Sequence, residues 1–262
     1  MLTLTNQNYH SEEANKQYMS NSQYKDFLAC EAMAMAKING WSESAPGVFG
    51  VGSYVHAAFE GTLEEYKLEN ADVIYNAKGK PYADYEKADQ MIGVIKSDPF
   101  CMFILQGQKE VIMTAGFAGA VWKIKQDSYN PDKSIFADIK TVKSIRDKYW
   151  DNDRGYVSFV EAYKYDTQMA IYAEIEKRWA KRQNWLKPLI VAVSKEDIPD
   201  KEVIGFDDND IERELGVIAS NMPRIMSVKT GMEEPNRCEK CRFCRESKQL
   251  KGITHYLDLL VV

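Results

Sequence analysis

The sequence predicts a mixed α/β fold, and three observations carry that reading. Three β-like runs, KEVIMTA, GAVWKIKQD and SIFADIKT, follow one another from Lys109 to Thr141, parted by glycine or by the turn-rich SYNPDK. The long segment FVEAYKYDTQMAIYAEIEKRW then reads as a helix, and PLIVAVS after it reads as a buried strand. Helical patterns flank this centre on both sides.

Taken in order, SNSQYKDFLACEAMAMAK offers serine caps before an amphipathic run. In VGSYVHAAFEGTLEEYK, Val51, Val55, Phe59 and Leu63 recur on one helical face. From Asn76 the polar NAKGKPYADYEKADQ leads through a loop into another helix. Beyond PLIVAVS, KEVIGF reads as a strand and DIERELGVIASNMPRIMSVK as a helix. No internal repeat or low-complexity linker interrupts the chain. The expected organisation is one domain over residues 1–262: a helical region to about 105, a core over about 106–230 and a cysteine-bearing tail over about 231–262.

A chain of 262 residues, 45% hydrophobic, can bury a sizeable core. No stretch approaches the ~18 apolar residues that span a bilayer, and MLTLTNQNYH lacks the pattern of a signal peptide. The expectation is a cytoplasmic protein without a membrane partner. A net charge of -5 argues against coating nucleic acid along the whole length, but a local basic patch can still bind phosphate. Without an export signal, a disulfide framework among the five cysteines is not expected.

The chemistry concentrates around Asp127, Asp138 and Lys140. In a strand, Phe136, Asp138 and Lys140 share one side and Ile135, Ala137 and Ile139 the other. A turn over 128–133 returns the chain antiparallel and can set Asp127 beside Asp138. Crowded carboxylates repel unless a cation lies between them, and a hard divalent ion such as magnesium, or manganese, suits such oxygen ligands. A lysine there can orient water or stabilise charge on a phosphate. The chemistry implied is metal-assisted phosphodiester hydrolysis. A solvated strand face would show the same tripeptide, and this stretch alone leaves both readings open. On the following helix Tyr165, Gln168, Tyr172, Ile175 and Trp179 form one stripe, with Gln168 its polar member. Gln168 and Tyr172 could bind a phosphate or hold catalytic groups, or the glutamine could find a backbone partner in the core.

In this order and spacing, Asp127, Asp138-Ile139-Lys140 and Gln168-Met-Ala-Ile-Tyr172 resemble the PD-(D/E)XK nuclease superfamily, with the Q-x-x-x-Y motif of its RecB-like branch. The resemblance is nearest to phage-type, RecE-like exonucleases and spans nearly the whole chain. It implies a restriction-endonuclease-like core with a mixed β-sheet flanked by helices. By the same resemblance Asp127 and Asp138 hold the metal, Lys140 positions the attacking water, and Gln168 and Tyr172 arrange the scissile strand. Gly52-Ser-Tyr-Val-His56 matches the family's G-x-x-x-H, whose histidine can be a ligand; standing alone, His56 reads as an ordinary helix residue. The family's G-x-x-D pattern would place Trp122 of Gly119-Ala-Val-Trp122 at an aspartate position, whereas Asp127 suits two strands joined by a short turn. Glu110 is a further carboxylate that could reach the metal.

The run CEKCRFC supplies Cys238, Cys241 and Cys244 at C-x2-C-x2-C spacing, one ligand short of a tetrahedral or cubane site. With Cys30, at the end of SNSQYKDFLAC, the set resembles the one early and three late cysteines that hold a four-iron cluster in AddB-like nucleases. Zinc fits the same four thiolates, and free thiols are the third alternative. Cys101, in SDPFCMFIL, reads as simply buried. Lys143, Arg146 and Lys148, then Lys177, Arg178, Lys181 and Arg182, then Arg242, Arg245, Lys248 and Lys251 are candidate phosphate contacts or solvated faces. The function expected is a metal-dependent exonuclease acting at the ends of linear duplex DNA. The resemblance implies phage or prophage recombination with a single-strand annealing partner, and leaves a homo-oligomer open. The alternatives are a structure-specific endonuclease and an inactive DNA-binding or metal-bearing interaction protein.

Overall fold

The strand bearing Asp138 becomes central because its neighbours in sequence can cover both of its faces. In the computed structural model, which describes residues 1–42, 50–151, 154–250, 252–253 and 255–257, the elements follow in this order. Helices α1 (Glu12–Gln17), α2 (Asn21–Ala29), α3 (Glu31–Ile38), α4 (Val51–Glu60), α5 (Leu63–Glu69), α6 (Ala71–Ile74), α7 (Ala83–Lys96) and α8 (Pro99–Ile104) come first. Strands β1 (Val111–Phe117), β2 (Ala120–Gln126), β3 (Ser128–Asn130), β4 (Ile135–Val142), β5 (Tyr149–Asp151) and β6 (Gly155–Val157) follow. Then come α9 (Phe159–Ala162), α10 (Tyr165–Trp179), β7 (Lys187–Ser194), β8 (Lys201–Gly205), α11 (Asp208–Lys229) and α12 (Arg242–Glu246). The chain divides into two compact units, one of Met1–Pro46, Thr114–Lys123 and Gly216–Val262, the other of Gly47–Met113 and Ile124–Leu215.

The second unit holds the mixed sheet, in the order β3-β4-β7-β8. β4 runs antiparallel to β3 and parallel to β7, with Asp138 level with Ile190, while β8 closes the far edge antiparallel to β7. Leu189 to Val193 of β7 are all buried, as expected of a strand covered on both faces. On one face Ala137, Ile139, Leu189, Val191 and Val193 pack with the apolar sides of α4, α7 and α8, including Val55, Met91, Ile95 and Ile104. α10 covers the other face, where Phe136 and Asp138 meet Tyr172 and Gln168. The result is a helix–sheet–helix sandwich in which alternation along β4 decides what each layer sees.

Several boundaries differ from the sequence reading for local reasons. The three β-runs are not one meander. β1 and β2 form their own hairpin over Ala118 and Gly119, both at positive φ (47° and 81°) as a two-residue turn of that hand requires. The stretch expected as turn contains β3, and the reversal itself is the single 3-10 turn Pro131–Lys133. The helix expected from Phe159 breaks at Lys164, which is left-handed at φ 53°; a Ser158–Glu161 capping box starts its first part. The N-terminal run breaks at Cys30, whose extended backbone ends α2 and starts α3.

In the first unit Trp122 is fully buried, its indole N–H donating to the Phe117 carbonyl at 2.9 Å and its ring beside those of Tyr24 and Phe117. Lys229 donates to the carbonyls of Asn15 and Tyr18 and to Gln23 Oε1, tying α11 to the N-terminal helices.

Gly107 tests how tightly β3 is held. It sits at φ 140°, and a Cβ there would lie 2.4 Å from the Tyr129 carbonyl oxygen. Gly107→Ala should therefore cost about 2 kcal/mol or more, from backbone strain and overpacking together. Urea unfolding measures this, and a variant as stable as the parent contradicts the packing described.

Candidate active site

Side-chain placement at the site follows from the β3–β4 register. Ser128 pairs with Ala137, so Asp127, one residue before β3, lies opposite Asp138. Asp127 Oδ2 accepts the Ile139 backbone N–H at 2.7 Å and stands 3.3 Å from Nδ1 of His56 on α4. The other ring nitrogen of His56 lies 3.0 Å from the Ile139 carbonyl oxygen. Both partners are acceptors, which suits an imidazolium. Burial pulls the imidazole pKa down, but the charge and hydrogen bond of Asp127, with Asp138 beyond, outweigh it and raise it to about 9.

Asp138 is buried, 3% exposed. Its Oδ1 accepts from Nε2 of Gln168 at 2.8 Å. Its Oδ2 faces the Lys140 ammonium at 2.5 Å, an ion contact without the alignment of a hydrogen bond. Burial pushes the Asp138 carboxyl up; Lys140 and His56 oppose this, Asp127 adds to it, and the balance is upward. Burial pushes Asp127 up as well, but His56 and Lys140 overcome it and hold it below the usual range. The two carboxyls are driven apart and titrate as a pair. Burial lowers the Lys140 ammonium, the two aspartates more than reverse that, and its Nζ stands 4.8 Å from the centre of the Tyr165 ring.

Glu110 enters the same field from the start of the β-hairpin. It is left-handed at φ 53° and ion-paired to Lys125. Burial lifts its pKa to about 7; Lys125 opposes, and Glu60 and Asp127 add to the rise. Tyr172 is half-buried with its ring 6.5 Å from that of Phe136, one turn along α10 from Gln168. The structure thus brings Asp127, Asp138, Lys140, Gln168 and His56 into one hydrogen-bonded or charged group, with Glu110 within its electrostatic reach. Trp122, the competitor of Asp127 in the sequence pattern, is a core residue. Sequence reasoning did not assign Tyr165, Lys125 or Glu60 to the site, although Tyr165 stood in the α10 stripe and Lys125 two residues before Asp127.

The donor set fits a hard divalent cation. Carboxylates from β4 and from the residue before β3, one of them with a buried oxygen that accepts no hydrogen bond among the described residues and stands beside an ammonium, and an imidazole against the other offer oxygen and nitrogen ligands to such an ion.

A second centre lies in the first unit. The sulfurs of Cys30, Cys238, Cys241 and Cys244 are all within 4.8 Å of one another, with Cys30 and Cys244 at 3.6 Å and Cys238 and Cys244 at 4.0 Å. Met33, Trp41 and Phe243 shield them. The N–H groups of Cys241 and Cys244 point at the sulfurs of Cys238 and Cys241, at 3.2 and 3.4 Å. Burial opposes ionisation of Cys238, but the N–H groups of Cys241 and Lys240 outweigh it and bring the thiol to about 6. Cys101 is buried in α8, apart from this set.

Many of the basic residues expected at phosphates are engaged locally. Lys177 and Arg178 pair with Glu174, Arg182 with the buried Glu176, Arg242 with Glu246, Lys248 with Glu239 and Arg146 with Glu202. Lys143 and Lys148 are exposed and form no ion pair among the described residues; Lys251 lies outside them.

A mixed sheet with helices on both faces and a D-x-K strand beside a second aspartate defines a PDDEXK-type nuclease domain. Residues 20–247 match the model of the family described as "PDDEXK-like domain of unknown function (DUF3799)", and the chain belongs to that family. It is similar to a crystal structure from Eubacterium rectale named "Putative exonuclease", at 41% identity and a TM-score of 0.91 over 99% of this chain and 98% of that one. The structure of SSO0001, at 15% identity and a TM-score of 0.31 over 85% of this chain and 91% of that one, is too distant to bear on fold or function. No curated protein matches the sequence.

Gln168→Leu removes the only hydrogen bond described for Asp138 Oδ1. Leaving a buried acceptor without its donor should cost about 1–3 kcal/mol. Chemical unfolding reads that loss, and unchanged stability would show that the bond does not hold the carboxylate.

Proposed function

We propose that the protein is a metal-dependent DNA exonuclease acting at the ends of linear duplexes, with Asp127 and Asp138 as the principal metal ligands and Lys140 as the catalytic ammonium. The observation that carries this reading is the pairing of Asp127 with Asp138 across β3 and β4, with Lys140 on the same face as Asp138. Bound magnesium or manganese would supply Lewis-acid polarisation of the phosphate and a water acidified for attack. Lys140, on the face covered by α10, can donate to that water or to the phosphoryl oxygen as charge builds. Gln168 fixes the orientation of Asp138, and Tyr172 lies further along the same helix face to meet the strand. His56 and Glu110 are further candidate ligands. To ligate, His56 must give up the proton that both its acceptor neighbours favour, and Glu110 must release Lys125.

End specificity is supported by the name of the similar E. rectale protein and by the RecE-like resemblance. The resemblance also supplies the setting: the cytoplasm, and phage or prophage recombination beside a single-strand annealing protein. No helix among the described residues is long and apolar enough to cross a membrane.

For the cysteines, the spacing supports a single tetrahedral ion. A zinc–sulfur bond of about 2.3 Å sets tetrahedral sulfurs ~3.8 Å apart, beside the 3.6 and 4.0 Å found here. A four-iron cubane, with an iron beneath each thiolate, holds its sulfurs further apart. This favours zinc over the cluster suggested by the AddB-like resemblance.

Lys140→Ala should reduce magnesium-dependent cleavage of linear duplex by on the order of a hundredfold or more while leaving the fold intact. Asp138→Asn should weaken magnesium binding. A covalently closed circle of the same sequence should survive; rapid nicking of the circle would favour the endonuclease, and full activity of either variant would sink the assignment. Metal analysis of anaerobically purified protein should find zinc near one equivalent, lost in Cys30→Ser. Iron with inorganic sulfide in a brown protein would favour the cluster instead.

A further inference from the structure

β5 and β6 pair in register, Trp150 opposite Tyr156 and Tyr149 opposite Val157. Strand alternation puts these two pairs on opposite faces of the hairpin. The inner pair is held down. Val157 is buried, and the Tyr149 ring meets that of Tyr163 at 5.3 Å. Tyr163 in turn meets Tyr165 at 5.8 Å, and the Lys140 ammonium stands 4.8 Å from the Tyr165 ring. Three ring contacts therefore connect the hairpin to the lysine of the D-x-K strand. The outer pair faces water: Trp150 is 67% and Tyr156 71% exposed, with their rings edge to face at 5.3 Å. Tyr163, between hairpin and site, is 45% exposed.

Charge along this segment is mixed in sign: Lys143, Lys148, Arg154 and Lys164 alternate in sequence with Asp147, Asp151, Asp153 and Glu161. Lysines interleave with aromatics in Lys148-Tyr149-Trp150 and in Tyr163-Lys164-Tyr165. Lys143, Lys148 and Lys164 form no ion pair among the described residues, while Arg154 is shared between Asp151 and Glu161.

Resting on the nuclease reading above, we propose that the outer face of the β5–β6 hairpin is a stacking platform for unpaired bases of the DNA strand entering the site. Trp150 and Tyr156 take the bases, and Lys143, Lys148 and Lys164 take the phosphates. The occupant is single-stranded because a duplex buries the base faces that such rings recognise, whereas every unpaired base offers one whatever the sequence. The ammonium groups answer the phosphates between the bases. A platform three ring contacts from Lys140 would hold an opened duplex end beside the aspartates.

The test is equilibrium binding of a fluorescein-labelled oligothymidylate in chelator, where cleavage cannot interfere. Trp150→Ala and Tyr156→Ala should each weaken binding by ~5-fold to 100-fold, while Trp150→Phe stays within about threefold of the parent. The ring variants should keep the salt dependence of the parent, and Lys148→Ala should lower the slope of log affinity against log salt by about one. Equal thermal melting of all variants would confirm that this exposed hairpin is not needed for folding. Parent-like oligothymidylate affinity in both alanine variants overturns the platform, as does a parent protein that cleaves duplex ends without binding the oligonucleotide. A parent that neither binds nor cleaves DNA under any divalent ion overturns the nuclease reading, and the platform with it.

Discussion

Two carboxylates set against each other across an antiparallel strand pair are the constraint on which the rest of the site depends. Asp127 and Asp138 occupy opposed register positions, and their mutual repulsion in a buried place must be offset by neighbouring charge and hydrogen bonds. The protein does so with one partner from each direction: His56 from α4, Lys140 from β4 itself, Gln168 from α10 and the Ile139 N–H from the strand backbone. Each of these groups is in place because a layer of the sandwich is in place. The helices beneath Ala137 and Ile139 and the helix above Asp138 are then as much a part of the site as the aspartates.

The same arrangement explains why the pair suits a divalent ion. His56 and Lys140 are cations that balance the carboxylates in the structure described. In the proposed reading a divalent ion would take over the balancing role of the imidazolium, and Lys140 would remain beside Asp138 to meet a phosphate. The cysteine centre belongs to the other unit. It ties Cys30, at the break between α2 and α3, to the three cysteines of the C-terminal run, joining segments from opposite ends of the sequence.

Much of this was readable from residues close in sequence. The eleven-residue separation of Asp127 and Asp138, with turn-forming residues between, fixes their juxtaposition. Helical spacing puts Gln168 in the middle of a buried stripe, and the C-x2-C-x2-C run announces a thiolate site. What escaped is set by distant contacts or by single backbone conformations. The His56–Ile139 contact spans 83 residues, and no local pattern encodes it. The break at Lys164 rests on one left-handed residue inside an otherwise helical pattern. Trp122 met the family's spacing for an aspartate, and only its packing against Tyr24 and Phe117 shows it to be core. The charge run closing α10 follows a local pattern as well, since Glu174 and Arg178 are four residues apart and pair accordingly.

The central claim is that the Asp127–Asp138 pair is a divalent-metal site, and anomalous scattering from crystals soaked in manganese tests it most directly. The account predicts a manganese peak within coordination distance of both carboxylates, on the Lys140 side of β4, and its disappearance in Asp138→Asn crystals. A fully ordered pair of carboxylates with no manganese between them at saturating concentration, His56 and Lys140 unmoved, would contradict it.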